Sequence, residues 1–256
     1  GNDTLISNQN LGLDRLDGGD GSDVAFITGN NANNNAVLLN DNGSIRSQIT
    51  AGSSSDTIFD FTSQIEAGAF WGYHFFNSSR SQGTTTVRNV EAVNLNGGDG
   101  NDFLFDAGGT QYFGGTGDDT FAIDWSDTTN GLFVDLVDST ITREVNGVTF
   151  GEIESFILRL GSGDDHVRAR GRIEGGLGED TLIGSSNRDT LSGGEGNDQL
   201  DGGGNSDQLF GGDGDDLLNG GSSSDVLDGG EGNDTLISNQ NLGLDRLDGG
   251  DGSDVA

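Results

Sequence analysis

The sequence predicts an all-β fold, a right-handed parallel β-solenoid whose coils are joined by glycine-rich turns. Three observations lead to it: from Gly175, glycine recurs every nine residues, aspartate fills the sixth place of each nine-residue block, and leucine fills the eighth. The consecutive blocks read GGLGEDTLI, GSSNRDTLS, GGEGNDQLD, GGGNSDQLF, GGDGDDLLN, GGSSSDVLD and GGEGNDTLI. Seven consecutive blocks with the same residue types at the same places indicate a repeat architecture.

Each block supplies one turn and one short strand. Glycine at places one, two and four permits positive backbone φ angles, which a side chain would oppose, so the first half of the block predicts a tight turn. In the second half, side chains alternate between outward and inward positions, and the leucine at place eight is the inward one. The predicted core of this part is a stack of Leu182, Leu191, Leu200, Leu209, Leu218, Leu227 and Leu236.

These blocks resemble the calcium-binding nonapeptide of the RTX (hemolysin-type) family, G-G-x-G-x-D-x-U-x. The resemblance is dense over residues 1–25 and 161–256, with isolated copies at 97–119. It implies a β-roll in which two blocks make one coil and the place-six aspartates of successive coils flank one Ca²⁺. Backbone carbonyls complete the set of oxygen ligands. Multiple Ca²⁺ ions are therefore the expected cofactor.

The metal ligands that the resemblance implies are glycines and aspartates of the turns. They are Gly18, Asp20, Asp23, Gly97, Asp99, Asp102, Gly114, Asp119, Asp165, Gly175, Asp180, Asp189, Gly193, Asp198, Asp207, Gly211, Asp216, Asp225, Gly229, Asp234, Asp245 and Asp254. The resemblance pairs Asp180 with Asp198, Asp198 with Asp216, Asp216 with Asp234, Asp189 with Asp207, and Asp207 with Asp225. The alternative interpretation is that these aspartates are a solvated acidic face of the turns. Such a face would not place an aspartate at the same position of every block.

The two edges of the predicted roll carry different turns. On the first edge, complete GGxGxD hexapeptides begin at Gly175, Gly193, Gly211 and Gly229. On the second edge, the interleaved turns carry Asn187, Asn205 or Ser223 at place four. Asparagine tolerates left-handed geometry and serine does so poorly, so we expect a strong calcium row on the first edge and a weaker one on the second. Without metal, stacked carboxylates repel by about 1–4 kcal/mol per pair, so we expect the chain to unfold.

Charge and composition limit the partners. The chain has 11 Lys+Arg and 43 Asp+Glu residues, a formal net charge of −32. Such a surface attracts cations and repels nucleic acid and anionic membranes, so neither nucleic-acid binding nor membrane insertion is expected. Apolar runs are too short to cross a bilayer. Cysteine is absent, which excludes disulfides and thiolate metal sites.

A second repeat is much longer. Residues 1–25 recur identically as 232–256, an offset of 232 − 1 = 231 residues. Identity over such a length indicates tandem duplication, so we expect a longer native protein with many near-identical copies. No flexible linker lies between the copies, which favours a continuous solenoid over domains on a string.

We divide the chain into three segments. Residues 1–26 end a calcium roll from the preceding repeat, 27–160 form a β-rich spacer with longer, β-helix-like coils and calcium turns at 97–119, and 161–256 form a roll that runs into the next repeat. The spacer resembles modules between RTX runs of large secreted bacterial proteins. It either continues the solenoid, which the internal hexapeptides favour, or forms an inserted β-sandwich. Its aromatic segment 68–76 forms either a local core or an exposed platform for sugars or a neighbouring filament.

The residue inventory argues against an enzyme. The chain has two histidines and no cysteine or lysine, and it contains neither a nucleophile elbow nor a zinc-binding helix motif. Asp164, Asp165 and His166 form a local acidic–histidine group, but a calcium-turn role explains Asp165 better. Carboxylate pairs suited to glycoside hydrolysis are numerous, yet their periodic spacing favours metal binding.

The expected function is that of a calcium-dependent structural repeat in an extracellular filament, surface layer or matrix protein. The alternatives are an extender or ligand-binding repeat of an RTX adhesin, and a calcium-binding module of a secreted toxin or enzyme, which the long duplication disfavours. Expected partners are tandem and lateral copies of the chain, with polysaccharide as a further candidate. The resemblance implies an extracellular or cell-surface location reached by type I secretion.

Overall fold

A computed structural model describes the backbone of residues 4–8, 13–17, 24–28, 35–40, 71–77, 80–88, 92–99, 103–105, 108–238 and 243–256, and the side chains of Leu104, 111–238 and 243–256. In these ranges the chain forms strands only, and no helix has the length and apolarity needed to cross a bilayer. The strands are β1 (Thr4–Asn8), β2 (Leu13–Asp17), β3 (Val24–Thr28), β4 (Asn35–Asn40), β5 (Trp71–Asn77), β6 (Arg80–Arg88), β7 (Ala92–Asp99), β8 (Phe103–Phe105), β9 (Gly108–Thr116), β10 (Thr120–Asp124), β11 (Phe133–Asp135), β12 (Arg143–Val145), β13 (Val148–Gly151), β14 (Ser155–Arg159), β15 (His166–Arg168), β16 (Gly171–Leu177), β17 (Thr181–Ile183), β18 (Thr190–Glu195), β19 (Gln199–Asp201), β20 (Gln208–Asp213), β21 (Leu217–Asn219), β22 (Val226–Glu231), β23 (Thr235–Ile237) and β24 (Arg246–Asp251).

The chain divides into two compact units, of which the first comprises Gly1–Ile123 and Ser139–Ser155. Strands β1, β3, β7, β9 and β13 lie side by side in parallel, and β12 pairs antiparallel with β13. A second series runs β2-β6-β5-β4-β8-β10, in which β4, β5 and β6 pair antiparallel. The spacer therefore combines parallel solenoid strands with an antiparallel insertion.

The aromatic segment 68–76 overlaps the middle strand of that insertion, β5. Its first three residues lie outside the described residues, as do the side chains of the rest. The choice between a local core and an exposed platform thus stays a prediction, and so do the three segment boundaries.

The second unit comprises Asp124–Asp138 and Phe156–Ala256 and contains all seven blocks. Its strands fall into two parallel series, β14-β16-β18-β20-β22-β24 and β11-β15-β17-β19-β21-β23. Within the blocks, Leu191 lies opposite Leu209 in the first series and Leu182 opposite Leu200 in the second, so one coil takes two blocks. These pairings confirm the predicted all-β parallel solenoid, with about five turns. Its handedness stays a prediction.

The core of the second unit is thin because each strand of the blocks contributes one apolar side chain to it. The buried column of the first series contains Ile173, Leu191, Leu209 and Leu227, and that of the second contains Val167, Leu182, Leu200, Leu218 and Leu236, none more than 3% exposed. Leu217, next to Leu218 in β21, is 38% exposed. Burying each aliphatic side chain contributes about 1.5–3 kcal/mol to the stability of the fold. Because each strand of the blocks buries only one such side chain, the stacking of the coils also depends on interactions in the turns.

Candidate metal-binding site

The turns of the first edge require glycine at place four. The backbone φ there lies between 122° and 136° in Gly178, Gly196, Gly214 and Gly232, a range that residues with a side chain rarely adopt. A Cβ added to Gly196 would also collide with the carbonyl oxygen of Gly178 in the preceding coil. The glycine pattern therefore fixes the shape of the turn and the spacing of successive turns.

The place-six aspartates of the first edge form a hydrogen-bonded ladder. Each backbone N–H donates to Oδ1 of the aspartate in the next coil: Asp165 to Asp180 at 2.8 Å, Asp180 to Asp198 at 2.8 Å, Asp198 to Asp216 at 2.7 Å, Asp216 to Asp234 at 2.8 Å, and Asp234 to Asp254 at 3.0 Å. The five aspartates from Asp165 to Asp234 are at most 3% exposed. The ladder therefore holds one carboxylate oxygen of each in a buried, fixed position.

A second ladder runs along the second edge. The N–H of Asp189 donates to Oδ1 of Asp207 at 2.8 Å, that of Asp207 to Asp225 at 2.9 Å, and that of Asp225 to Asp245 at 3.0 Å. All five aspartate pairs that the RTX resemblance implies are thus direct neighbours in the structure. Their role as metal ligands stays a prediction.

The second carboxylate oxygen, Oδ2, distinguishes most ladder aspartates from ordinary hydrogen-bonded ones. Oδ2 is buried and has no hydrogen-bond partner among the described residues in Asp165, Asp180, Asp198, Asp207, Asp216, Asp225 and Asp234. Burial raises the pKa of Asp180 and Asp207 to about 7 and that of Asp216 to about 6. A carboxylate buried in this way needs either a proton or a cation.

A main-chain carbonyl lies near the Oδ2 atoms of the turns on both edges. On the second edge, a Cβ added to Gly202 would lie 2.7 Å from Asp207 Oδ2 and 2.8 Å from the carbonyl oxygen of Gly220. On the first edge, a Cβ added to Gly193 would overlap Asp198 Oδ2 and lie 2.7 Å from the carbonyl oxygen of Gly211. Glycine at place one therefore lets a carboxylate and a carbonyl of the next coil approach the same point of the backbone, and both are hard donors of the kind Ca²⁺ prefers.

Main-chain oxygens are essential to such a site. In the described part of the chain, no group of three or more histidine, cysteine, aspartate or glutamate side chains is placed to hold a metal ion. The ladder supplies carboxylates in pairs, which is too few for the six to eight oxygens that Ca²⁺ takes. The residues present fit Ca²⁺ as paired carboxylates supplemented by carbonyls of the turns.

In the first unit, Glu154 takes a ladder-like position that the repeat pattern does not predict. The backbone N–H of Asp119 donates to Glu154 Oε2 at 2.8 Å, as the N–H groups of the ladder donate to aspartate Oδ1. A Cβ added to Gly114 would collide with the carbonyl oxygen of Glu152. Glu154 belongs to no glycine hexapeptide, so periodicity carries no signal for it.

The remaining predicted ligands are less fully described. Only the backbone is described for Gly97 and Asp99 in β7, and Gly18, Asp20, Asp23 and Asp102 lie outside the described residues. First-place glycines Gly175, Gly193, Gly211 and Gly229 begin the first-edge turns, and Asp245 and Asp254 accept the last hydrogen bonds of the two ladders.

The acidic–histidine group of residues 164–166 is divided between the ladder and the outer face. Asp165 Oδ1 accepts the N–H of Leu132 at 2.6 Å and Asp165 donates to the next ladder aspartate. His166 stacks on Phe133, with ring centroids 4.5 Å apart. The geometry thus supports the ladder interpretation of Asp165 over a catalytic pairing with His166.

Without calcium, the fold is expected to become more stable as the pH falls. Unfolded aspartate titrates near pH 4, whereas the pKa of Asp180 and of Asp207 in the roll is about 7. A carboxyl group whose pKa is raised by folding stabilises the folded state when protonated, so this stabilisation is complete below about pH 4 and is lost as the pH rises through about 7. In a chelator, the β-sheet circular dichroism signal should therefore be larger at about pH 5 than at about pH 8.

Calcium binding should show the opposite dependence, because protons and Ca²⁺ compete for the same carboxylates. Calorimetric titration at several pH values would measure this as a weaker affinity at about pH 5 than at about pH 8. A metal-free signal that grows with rising pH would contradict the assignment of these buried carboxylates.

Comparison with known protein families supports the same assignment. The model of the RTX calcium-binding nonapeptide repeat (4 copies) matches residues 174–209 and 201–236. None of the curated proteins compared matches the chain, and no catalytic domain is identified in it, so the expectation that it is not an enzyme stays a prediction. RTX repeats bind Ca²⁺ and are typical of extracellular proteins exported by type I secretion. Residues 174–236 of this chain are RTX calcium-binding nonapeptide repeats, folded as a parallel β-roll.

Proposed function

We propose that this chain is a calcium-dependent structural repeat of an extracellular filament, surface layer or matrix protein. The observation that carries the proposal is the identity of residues 1–25 and 232–256. Exact duplication at this distance indicates tandem copies, and a filament or lattice gains length and regularity from each copy, whereas the activity of a secreted enzyme or toxin does not require them.

The repeated segment pairs its strands in the same way at both places. Thr4 lies opposite Val24, and the corresponding residues of the second copy, Thr235 and Val255, also lie opposite each other in parallel. Each copy has a different further neighbour: Val24 pairs with Ala92 of the spacer, whereas Thr235 pairs with Leu217 of the roll.

One segment can therefore use one side to pair with a roll and the other to pair with a spacer. This is the arrangement that a tandem protein needs if its solenoid runs through the boundary between copies. Because both strand pairings are parallel and in register, the junction has the same kind of hydrogen bonding as the rest of the solenoid. Such a junction favours a continuous, stiff filament over domains joined by flexible linkers.

The residues of the ladders make stiffness depend on calcium. The backbone N–H of Asp198 donates to Oδ1 of Asp216, and the buried Oδ2 of each aspartate has no hydrogen-bond partner among the described residues. A bound Ca²⁺ would give these oxygens the positively charged partner that they need when buried. Calcium is abundant outside cells and scarce inside them, so the chain would stay unfolded during export and fold at the cell surface.

Tandem copies are the main partner in this proposal, and lateral copies in a fibre or lattice are the second. The net charge of −32 opposes close lateral packing unless cations reduce it, so assembly should need calcium as folding does. Polysaccharide of an extracellular matrix is a further candidate partner.

Electron microscopy of a protein with several tandem copies tests the proposal. We expect straight fibres or a lattice in calcium, with an axial spacing that repeats once per 231-residue unit, and loss of that order after chelation. A matched sample in which a glycine- and serine-rich linker separates the copies should give flexible chains. Isolated, flexible stalks from the unmodified protein would overturn the structural role and favour the extender region of an adhesin.

A further inference from the structure

We propose that the calcium row of the second edge is closed at both ends by serines. Ser185 and Ser238 hydrogen-bond the carboxylates of Asp189 and Asp245 and so replace a cation there. This inference rests on the proposed calcium-dependent role of the ladders, and it specifies which of their carboxylates bind the ion.

At the start of the ladder, both carboxylate oxygens of Asp189 have donors. Oδ1 accepts the backbone N–H of Gly171 at 2.6 Å, and Oδ2 accepts both the backbone N–H and the hydroxyl of Ser185, at 2.6 Å and 2.9 Å. Ser185 is 8% exposed and Asp189 is 1% exposed. The turn itself therefore satisfies this buried carboxylate, unlike Asp207 in the next coil, whose Oδ2 has no partner among the described residues.

The backbone of the 184–189 turn explains why the donors point at the carboxylate. At place two, Gly203 and Gly221 of the neighbouring turns have φ of 90° and 89°, whereas neither Ser185 nor Asn187 has a positive φ. The hydroxyl of Ser185 also accepts the N–H of Asn187 at 3.0 Å, which stabilises this conformation. A cation needs oxygen donors beside the carboxylate, and an N–H group directed at the same oxygen opposes its binding.

At the other end, Ser238 occupies place one of the block SNQNLGLDRLD, where the other turns have glycine. Its hydroxyl donates to Asp245 Oδ2. In the Asp207 turn, the equivalent place is Gly202, and a Cβ there would lie 2.7 Å from the carboxylate oxygen. Ser238 thus brings a hydroxyl donor to the carboxylate at a place where a side chain in the Asp207 turn would collide with it.

We call a carboxylate open when its buried Oδ2 has no hydrogen-bond partner among the described residues. The two edges differ in how many adjacent carboxylates are open in this sense. In the described second-edge ladder, Asp207 and Asp225 are the aspartates with a buried Oδ2 that lacks a partner, which gives one open pair. The first edge has five such aspartates in succession, Asp165, Asp180, Asp198, Asp216 and Asp234, which gives 5 − 1 = 4 open pairs. We infer a continuous calcium row on the first edge and a single site between two serine-closed ends on the second.

Counting bound calcium ions by native mass spectrometry of the whole chain tests this inference. Ser185→Gly restores glycine at place two and removes the hydroxyl, so this variant is expected to bind one ion more than the unaltered chain, between Asp189 and Asp207. Ser238→Gly should likewise add one ion beside Asp245. The matched control is Ser186→Gly, an exposed serine of the same turn, which should leave the count unchanged.

Anomalous X-ray diffraction from the unaltered chain in calcium gives an answer that does not depend on the variants. Density between Asp207 and Asp225, with none between Asp189 and Asp207, is expected. Density between Asp189 and Asp207, or unchanged ion counts in both folded glycine variants, would overturn serine closure. Absence of calcium from the first edge as well would instead overturn the proposed function, so the two failures are distinguishable.

Discussion

Chelation of calcium at about pH 8 is expected to abolish most of the β-sheet circular dichroism signal of this chain, and calcium added afterwards to restore it. In the two ladders, seven buried Oδ2 atoms have no hydrogen-bond partner among the described residues. Each unpartnered buried group destabilises the fold by about 1–3 kcal/mol, more if charged, so together they oppose folding by on the order of 10 kcal/mol. That is comparable with the whole free energy of unfolding of a typical domain, about 5–15 kcal/mol.

Two details of this experiment follow from the structure. The pH must lie above the pKa of about 7 of Asp180 and Asp207, because protons would otherwise replace the metal. Magnesium at the same concentration is the control and should restore little, since it requires a tighter octahedral geometry than carbonyl-rich turns supply. Identical spectra with and without chelator would contradict the assignment of the ladders as calcium sites.

Replacement of Gly196 by alanine is expected to destabilise the roll far more than the same change at Gly204. Gly196 has a φ of 129°, and its added Cβ would collide with the carbonyl oxygen of Gly178. Strain of this kind is worth about 1–3 kcal/mol before any shift of the neighbouring coil is counted. Because several Ca²⁺ ions bind as the roll folds, a loss of this size is shared among them, and we expect Gly196→Ala to raise the calcium concentration needed for half-maximal folding by roughly 1.5- to 3-fold.

Gly204 is the matched control because it also lies in a turn of the roll but has room for a methyl group. The nearest atoms to its added Cβ lie at 3.4 Å and 3.5 Å, an ordinary contact distance, and its φ is not positive. Gly204→Ala should change the free energy of unfolding by less than about 0.5 kcal/mol. Calcium titrations followed by circular dichroism measure both variants, and equal midpoints would contradict the proposed demand for glycine at place four.

Several features of the second unit could be predicted from the sequence because they depend on a regular period. Leucine at place eight of every block is sufficient to predict that Leu200 is buried, and the resemblance to RTX nonapeptides, with two blocks to a coil, predicts that Asp198 lies next to Asp216. Parallel strands in register repeat the same environment in every coil, so a periodic sequence produces a periodic structure. The unequal turns of the two edges were also apparent from place four, where Ser223 adopts a φ of 94° in place of glycine.

The antiparallel insertion β4–β6 and the contact of Glu154 with Asp119 could not be predicted in this way. These features join residues that share no period with one another. Their positions depend on how the chain between the repeats folds back, for which the sequence contains no repeated pattern.

The nonapeptide blocks and the identity of the two distant segments can be read from the sequence alone, because each is a regularity that can be counted along the chain. The resemblance of the blocks to RTX repeats then predicts the roll and its aspartate pairs. Which carboxylates are open to a cation depends on the folded turns. Asp189 and Asp207 occupy the same place in their blocks, yet Ser185 supplies two hydrogen bonds to Asp189, while Asp207 Oδ2 has no partner among the described residues. A carboxylate needs a metal ion only where hydrogen-bond donors are lacking, and the backbone conformation of each turn determines which donors face it.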